Sequence, residues 1–295
     1  MQTQKIRKAV MPVAGFGTRF LPATKSMPKE MLPIVDKPVI QYLVEEAVDS
    51  GIEEIVFVTG RGKRAIEDHF DVSYELEDTL VEKNKKDLLK AVQDIPNLAK
   101  FSYVRQPLPL GDGHAVLQAA HLLNGEPVLV MFGDCLYDSE VPAAKQLIEA
   151  YREYNEPIIG LARVCKNDVK KFGVIDGAKV NRNTYKVKQL VEKPSPSEAP
   201  SNLAAVGKYI ITQDIFDILA GMKEGKSGEI RLADALDIFL KGNKAVYGKL
   251  LEGKWLDTGD KLGFLKATVN YALKHEKLSE EFRNYLKEAI LDKPE

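Results

Sequence analysis

Gly15, Gly17, Arg19 and Lys29 follow an apolar run over residues 9–13. Glycines in such a loop let backbone N–H groups approach anionic oxygens, and cations spaced after them neutralise the charge that phosphoryl chemistry develops. The set points to the handling of a nucleoside triphosphate. It matches neither common phosphate loop: a dinucleotide fingerprint needs glycine where Phe20 stands, and a P-loop needs Gly-Lys-Ser/Thr where Thr24 precedes Lys25-Ser26. The glycines alone would equally mark a plain strand-to-helix turn, and it is the Arg and Lys after them that favour phosphate.

Further charged groups stand where strands end. In Val128-Leu-Val-Met-Phe-Gly-Asp134 the aspartate emerges from a strand pattern after a glycine. A hard cation such as Mg²⁺ takes few protein carboxylates together with substrate phosphates, and a strand-end Asp presents one rigidly. By itself it would be a turn residue. Trp255-Leu-Asp-Thr-Gly259 repeats the pattern just before a helix, where capping is the plain alternative for Asp257. Val191-Glu-Lys-Pro194 sets an acceptor, Glu192, beside a cation, Lys193, at a strand end that proline breaks. Carboxylates hydrogen-bond sugar hydroxyls and lysines hold phosphates, so the pair suits a sugar phosphate; in isolation it would be a surface charge pair. His114 and His121 lie about two helical turns apart, too far to share a metal, and read as packing or hydrogen-bonding groups. No Gly-x-Ser-x-Gly elbow occurs, so covalent catalysis is not indicated.

To position these groups the chain alternates short apolar runs with helical patterns. Strands are expected over 9–13, 55–59, 101–104, 128–132 and 157–164, and helices over 39–50, 63–70, 115–123 and 141–154. This is the pattern of an α/β fold with a mostly parallel central sheet flanked by helices, Rossmann-like in its layering. Residues 55–58 and 128–132 are apolar on both faces, as a sheet covered on each side requires. Ligands of such sheets bind beyond the carboxyl ends of strands, which would bring the Gly15 loop and Asp134 together if their strands are neighbours. The charged stretch 74–97 reads as a solvated helical excursion or surface hairpin. After residue 164 strands over 173–175, 186–192 and 204–211 follow without long helices, which predicts a mixed or antiparallel sheet edge, with a loop over 194–200. The tail holds two helical patterns, 262–275 and 279–289.

A chain of 295 residues with 44% hydrophobic content can bury a large core. Its formal net charge of −1 gives little Coulomb attraction for a polyanion, so no nucleic-acid partner is expected. Cys135 and Cys165 make no disulfide framework, which fits a cytoplasmic location. Residues 1–8 lack an apolar stretch after their charges and no run approaches the ~20 apolar residues that span a bilayer, so neither targeting nor membrane association is expected.

Taken together, the motifs resemble the sugar-nucleotide pyrophosphorylase family, and within it the bacterial UTP–glucose-1-phosphate uridylyltransferase branch. The resemblance is carried by Pro12-Val-Ala-Gly-Phe-Gly-Thr-Arg19, Pro22-Ala-Thr-Lys-Ser-Met-Pro-Lys-Glu-Met-Leu-Pro33, Gln106-Pro-Leu-Pro-Leu-Gly-Asp-Gly-His-Ala-Val116, Phe172-Gly-Val174, Glu192-Lys-Pro194, Val206-Gly-Lys-Tyr209 and Asp257-Thr-Gly259, in the family's order. Val13-Ala-Gly15 and Glu30 after Lys29 look like the uridylyl branch; thymidylyl relatives open with Gly-Gly and follow the lysine with Gln. The resemblance implies a nucleotide-diphospho-sugar transferase fold over 1–295, with a helical segment over 260–295 that serves oligomerisation as a dimer or tetramer. It implies that Ala14, Gly15, Gln106 and Gly111 hold uracil and ribose, with Glu30 also among the substrate-binding residues. Arg19 and Lys29 would bind the triphosphate, Asp134 and Asp257 Mg²⁺, Gly173, Glu192 and Gly207 the sugar, and Lys193 the phosphate of glucose 1-phosphate. Many relatives carry a second Asp after the metal Asp; here Cys135 stands there. The implied reaction forms UDP-glucose and pyrophosphate from UTP and glucose 1-phosphate. The alternatives are a thymidylyl or dual-specificity enzyme and a catalytically silent binding protein; a glycosyltransferase would want Asp-x-Asp at the strand end, which Gly133-Asp-Cys-Leu-Tyr-Asp138 does not offer.

Overall fold

The computed structural model describes residues 4–225 and 228–291. In chain order the elements are β1 (Lys8–Pro12), the short hairpin β2 (Pro33–Ile34) and β3 (Lys37–Pro38), α1 (Val39–Asp49), β4 (Glu54–Thr59), α2 (Arg64–Phe70), α3 (Tyr74–Glu82), α4 (Lys86–Asp94), β5 (Lys100–Arg105), α5 (Asp112–Gln118), β6 (Val128–Met131), β7 (Cys135–Asp138) and α6 (Ala143–Tyr154). There follow β8 (Ile158–Arg163), β9 (Gly173–Lys179), β10 (Thr184–Glu192), β11 (Leu203–Ile211), α7 (Gln213–Gly221), α8 (Leu232–Lys241), β12 (Tyr247–Leu250), β13 (Lys254–Asp257), α9 (Lys261–Ala272) and α10 (Ser279–Leu291).

The main sheet has the order β5-β4-β1-β6-β11-β8-β12-β10-β9. Its β5-β4-β1-β6 part is parallel, with Val10 opposite both Val56 and Val130. Alternation along these strands sends Met11, Phe57 and Met131 into one core with Ile40 and Leu43 of α1 and Leu147 of α6. Val10, Val56 and Val130 point the other way, onto Val116 of α5, Leu219 of α7 and Leu236 of α8. Both faces are therefore covered, which is why β1, β4 and β6 read as unbroken apolar runs. β1 and β6 are neighbours, so the Gly15 loop and Asp134 leave the sheet side by side.

The other part is mixed, as expected, but it is more than an edge. β11 runs antiparallel to both β6 and β8, β12 lies parallel to β8, and the β9–β10 hairpin follows. β9 then returns to β11 through the Ala204–Val174 pair, so these strands close on themselves. β11 can serve both halves because it shifts register between Ala205 and Tyr209, around Gly207 at φ +70°, a conformation that glycine adopts without strain.

The region between residues 212 and 254, which the apolar pattern leaves unassigned, contains α7, α8 and β12. β7 and β13 form a separate antiparallel ribbon in which Asp257 pairs with Cys135. The stretch 74–97 is a pair of helices, α3 and α4, neither with a buried residue. Asp257 does not cap the helix that follows. Asp260 does, accepting the Gly263 N–H at 2.8 Å. Asp260→Ala is expected to cost about 1 kcal/mol of stability, the usual value of an N-cap, read by thermal unfolding.

Candidate active site

No α-helix follows the glycine loop; the chain instead makes 3-10 turns over Thr18–Phe20, Ala23–Lys25 and Lys29–Met31. Gly17 sits at φ +66°, and a Cβ there would stand 3.0 Å from that of Lys29. Thr24 Oγ1 donates to the Gly17 carbonyl at 2.7 Å, so the loop folds back on the Ala23–Lys25 turn. A Cβ on Gly15 would meet nothing within 4 Å, which leaves its backbone open to a ligand.

Lys29 reaches across to Asp134, with Nζ 2.5 Å from Oδ2. Burial alone would discharge Lys29, but Asp134 and Glu30 beside it more than reverse this and hold its pKa above the ordinary value. For Asp134 burial likewise opposes charge, and Lys29 overrides it, so the carboxyl stays below its usual range. The backbone carbonyl of Asp134 accepts from both the N–H and the hydroxyl of Thr258, each at 2.9 Å. This ties the end of β6 to the turn after β13. Arg19 Nη1 donates to the Gly259 carbonyl at 3.1 Å in the same turn.

Three charged side chains crowd the Cα of Gly259 at that point. A Cβ on Gly259 would lie 2.9 Å from Asp257 Oδ1, 3.0 Å from Asp134 Oδ2 and 3.1 Å from Arg19 Nη1. Burial, and next among the raising influences the facing Asp134, push the Asp257 carboxyl up, although the Gly259 N–H stabilises its charge. Two carboxylates brought this close together suit a hard divalent cation that completes its coordination with phosphate and water. Among the described residues no set of three or more His, Cys, Asp or Glu could form a complete protein cage.

A cleft of about 480 Å³ opens beside these charges, lined by Ala14, Gly15, Lys29, Glu30, Gln106, Gly111 and Asp134 together with Phe16, Phe132 and Glu229. A larger cavity of about 650 Å³ lies between residues 164–172 and α9, largely hydrocarbon-walled, and Asp257 is the one expected site residue on it. The converging charges, not the larger volume, mark the site. Gln106 is 9% exposed and its Nε2 donates to the Gly111 carbonyl at 3.0 Å. A carbonyl can receive only a donor, so the amide nitrogen is turned inward. His114 Nδ1 lies 3.1 Å from the same nitrogen, which gives that histidine its hydrogen-bonding role. Gly111 has φ +104°, and a Cβ would meet the Ile230 carbonyl at 2.6 Å, so glycine is required where this loop docks on the segment before α8.

The expected sugar-side residues cluster on the closed part of the sheet. Gly173 and Glu192 are register partners, and a Cβ on Gly173 would come 3.0 Å from Glu192 Oε2. Lys193 takes φ +48°, unusual outside glycine, and its Nζ turns back to 3.4 Å from Glu192 Oε1. The strand does break there, and the two charges share a side. Gly207 packs on Phe132, a wall of the cleft, and on Cys135, whose thiol points at Asp134 Oδ1 from 3.6 Å.

Glu30 is 1% exposed and stands in the wall of the cleft with its carboxylate paired to Lys63 Nζ at 2.8 Å, so its charge is already met from behind. Lys63, Thr258, Phe16, Phe132 and Glu229 also belong to this site, with nothing in their local sequence to assign them a role there.

A family model described as nucleotidyl transferase matches residues 8–274. The chain belongs to the nucleotidyl transferase family. Among nucleotidyl transferases of known name, the UTP–glucose-1-phosphate uridylyltransferase YngB of Bacillus subtilis is 49% identical over 287 residues, 97% of this chain and 96% of that protein. A UDP-glucose pyrophosphorylase solved in complex with UDP-glucose superposes with a TM-score of 0.84 at 44% identity, covering 92% of this chain and all of the other (100%). The UTP-bound UDP-glucose pyrophosphorylase of Acinetobacter baumannii gives a TM-score of 0.89 at 40% identity, covering 98% of this chain and 100% of that one. The nucleotidyl transferase fold thus extends through the closed part of the sheet, where the second cluster stands.

Proposed function

We propose that this chain transfers a uridylyl group from UTP to glucose 1-phosphate, releasing pyrophosphate and UDP-glucose. The observation that carries the reading is the meeting of Arg19, Asp134 and Asp257 around Gly259, with Asp134 also paired to Lys29 where both line the cleft. The names of relatives spanning nearly the whole chain agree with it.

In the reaction a phosphate oxygen of glucose 1-phosphate bonds to the α-phosphorus of UTP while the bond from that phosphorus to the bridging oxygen breaks, and pyrophosphate leaves with that electron pair. The attacking phosphate is already ionised near neutral pH, so no general base is needed. Catalysis then rests on alignment and on charge neutralisation. Lys29 and Arg19 neutralise the triphosphate. Asp134 and Asp257 would hold Mg²⁺, which when bound supplies positive charge to the phosphate oxygens. Gln106, with its amide nitrogen turned inward, offers Oε1 to an N–H of the base, and Ala14, Gly15 and Gly111 bring backbone up to the nucleoside. Gly173, Glu192 and Gly207 receive the sugar, and Lys193 its phosphate.

Among the described residues no helix is long and apolar enough to cross a membrane. We place the enzyme in the cytoplasm, as a dimer or tetramer whose copies meet through α9 and α10. Exposed Leu262, Leu265, Leu278 and Tyr285 on and between these helices are the observation behind that assignment.

The test is pyrophosphate release with Mg²⁺ and glucose 1-phosphate, comparing UTP with dTTP, ATP and GTP. UTP is expected to be strongly preferred. Equal or better use of dTTP would overturn the base assignment, and no release with any triphosphate would leave a silent binding protein.

A further inference from the structure

Behind the cleft lies an ion pair that the reaction as described does not use. The side chains of Lys63 and Glu30 are 5% and 1% exposed. Taking two charges out of water is costly, and well-packed hydrocarbon in their place often stabilises a fold equally well or better. Stability alone is thus a weak account of the pair.

Its location offers another. Glu30 follows Lys29 in the 3-10 turn Lys29–Met31, and its side chain passes the glycine before Asp134 so closely that a Cβ on Gly133 would stand 2.9 Å from Glu30 Cγ. Lys63 immediately precedes α2, a helix anchored in the core by Ile66 and Phe70. The charges therefore alternate from scaffold to cleft: Lys63, Glu30, Lys29, Asp134. The two contacts in this row at its ends are direct, at 2.8 Å and 2.5 Å, and the middle one is a step of a single residue. Lys29 is half of the first contact a triphosphate would disturb, because phosphate oxygens compete with Asp134 for its ammonium.

We propose that Lys63 is a positioning residue for Lys29, acting through Glu30. It clamps the Lys29–Met31 turn to the start of α2, so that the ammonium keeps its aim when phosphate replaces part of its contact with Asp134. This rests on the reading of Lys29 as the triphosphate cation.

The test compares Lys63→Met, Glu30→Leu, the double variant and Lys63→Arg, each by thermal unfolding and by kcat and KM for UTP and glucose 1-phosphate. Either single apolar change strands a buried charge and is expected to lower the melting temperature. The double variant removes both charges and is expected to regain most of that loss. If the pair aims Lys29, kcat of the folded double variant stays about 100-fold down, the scale of a displacement of ~1 Å, with KM for glucose 1-phosphate unchanged. Lys63→Arg, which keeps the charge, is expected to recover most of kcat. A double variant with kcat within about 3-fold of the parent overturns the proposal. Should the double variant fail to fold, Lys63→Ala decides, assayed at a temperature where it stays folded: it removes the tether to α2 and leaves Lys29, Glu30 and Asp134 in place, so an unchanged kcat there also overturns the proposal. A parent that releases no pyrophosphate from UTP removes the function reading itself, whereas an active parent with an undiminished variant removes only the role of Lys63.

Discussion

Lys29→Ala is expected to lower kcat at least ~100-fold, equivalent to about 2.7 kcal/mol of transition-state stabilisation, the scale of one lost electrostatic group. The size follows from the surroundings. Lys29 and Asp134 are only 23% and 21% exposed, so little water is available to take over the role of the ammonium. Without it, Asp134 and Asp257 face each other and an incoming triphosphate with Arg19 as the remaining cation of the cluster. Asp134→Ala is expected to cost as much, and to leave Lys29 without its fixed partner. Steady-state pyrophosphate release measures both. Near-normal turnover of either variant would remove that residue from the mechanism.

Glu46→Ala is expected to cost about 3–5 kcal/mol of stability, the usual consequence of leaving a buried charge without its partner. Lys208, next to Gly207 on β11, is 0% exposed, and its Nζ meets Glu46 Oε2 at 2.8 Å. The other Glu46 oxygen accepts the Ala144 N–H at 2.9 Å, in the first turn of α6. One carboxylate of α1 thus compensates a lysine in the sheet and an orphan donor at a helix start. Denaturant unfolding reads the loss. A change below about 1 kcal/mol would mean that Lys208 swings out to water, and the Glu46→Leu/Lys208→Met double variant is expected to fall much closer to the parent.

The parallel half was legible because its strands are buried on both faces and its helices carry one apolar stripe, as with Val39, Ile40, Leu43, Val44 and Ala47 of α1. The closed half was legible only in its long strands. β7, β12 and β13 have four residues each, too short for a periodic signal, and nothing local to Val174 or Ala204 announces that they pair. In the site, Asp134 and Asp257 stood out as charges placed at the ends of apolar runs, and Lys29 as a cation spaced after the glycine loop. Glu30 stood out as well, but its burial did not, because its partner lies 33 positions away with no pattern linking the two. Thr258 could be recognised as part of a motif, yet its grip on the Asp134 carbonyl spans 124 positions and is a fact of the fold alone.

The ties of Arg19 to Gly259 and of Thr258 to Asp134 have a consequence for how the protein is made. The first closes a loop of 240 residues and the second one of 124, and such long closures must be paid in chain entropy before the contact returns anything. During synthesis the glycine loop, Lys29 and β6 leave the ribosome long before the turn that fastens them. A chain that stops short of β13 can hold much of its parallel sheet and the Lys29–Asp134 pair, yet Arg19 still lacks the Gly259 carbonyl and the Asp134 carbonyl its two donors from Thr258. The ties that join Arg19 and Asp134 to the rest of the site therefore wait for the turn after β13.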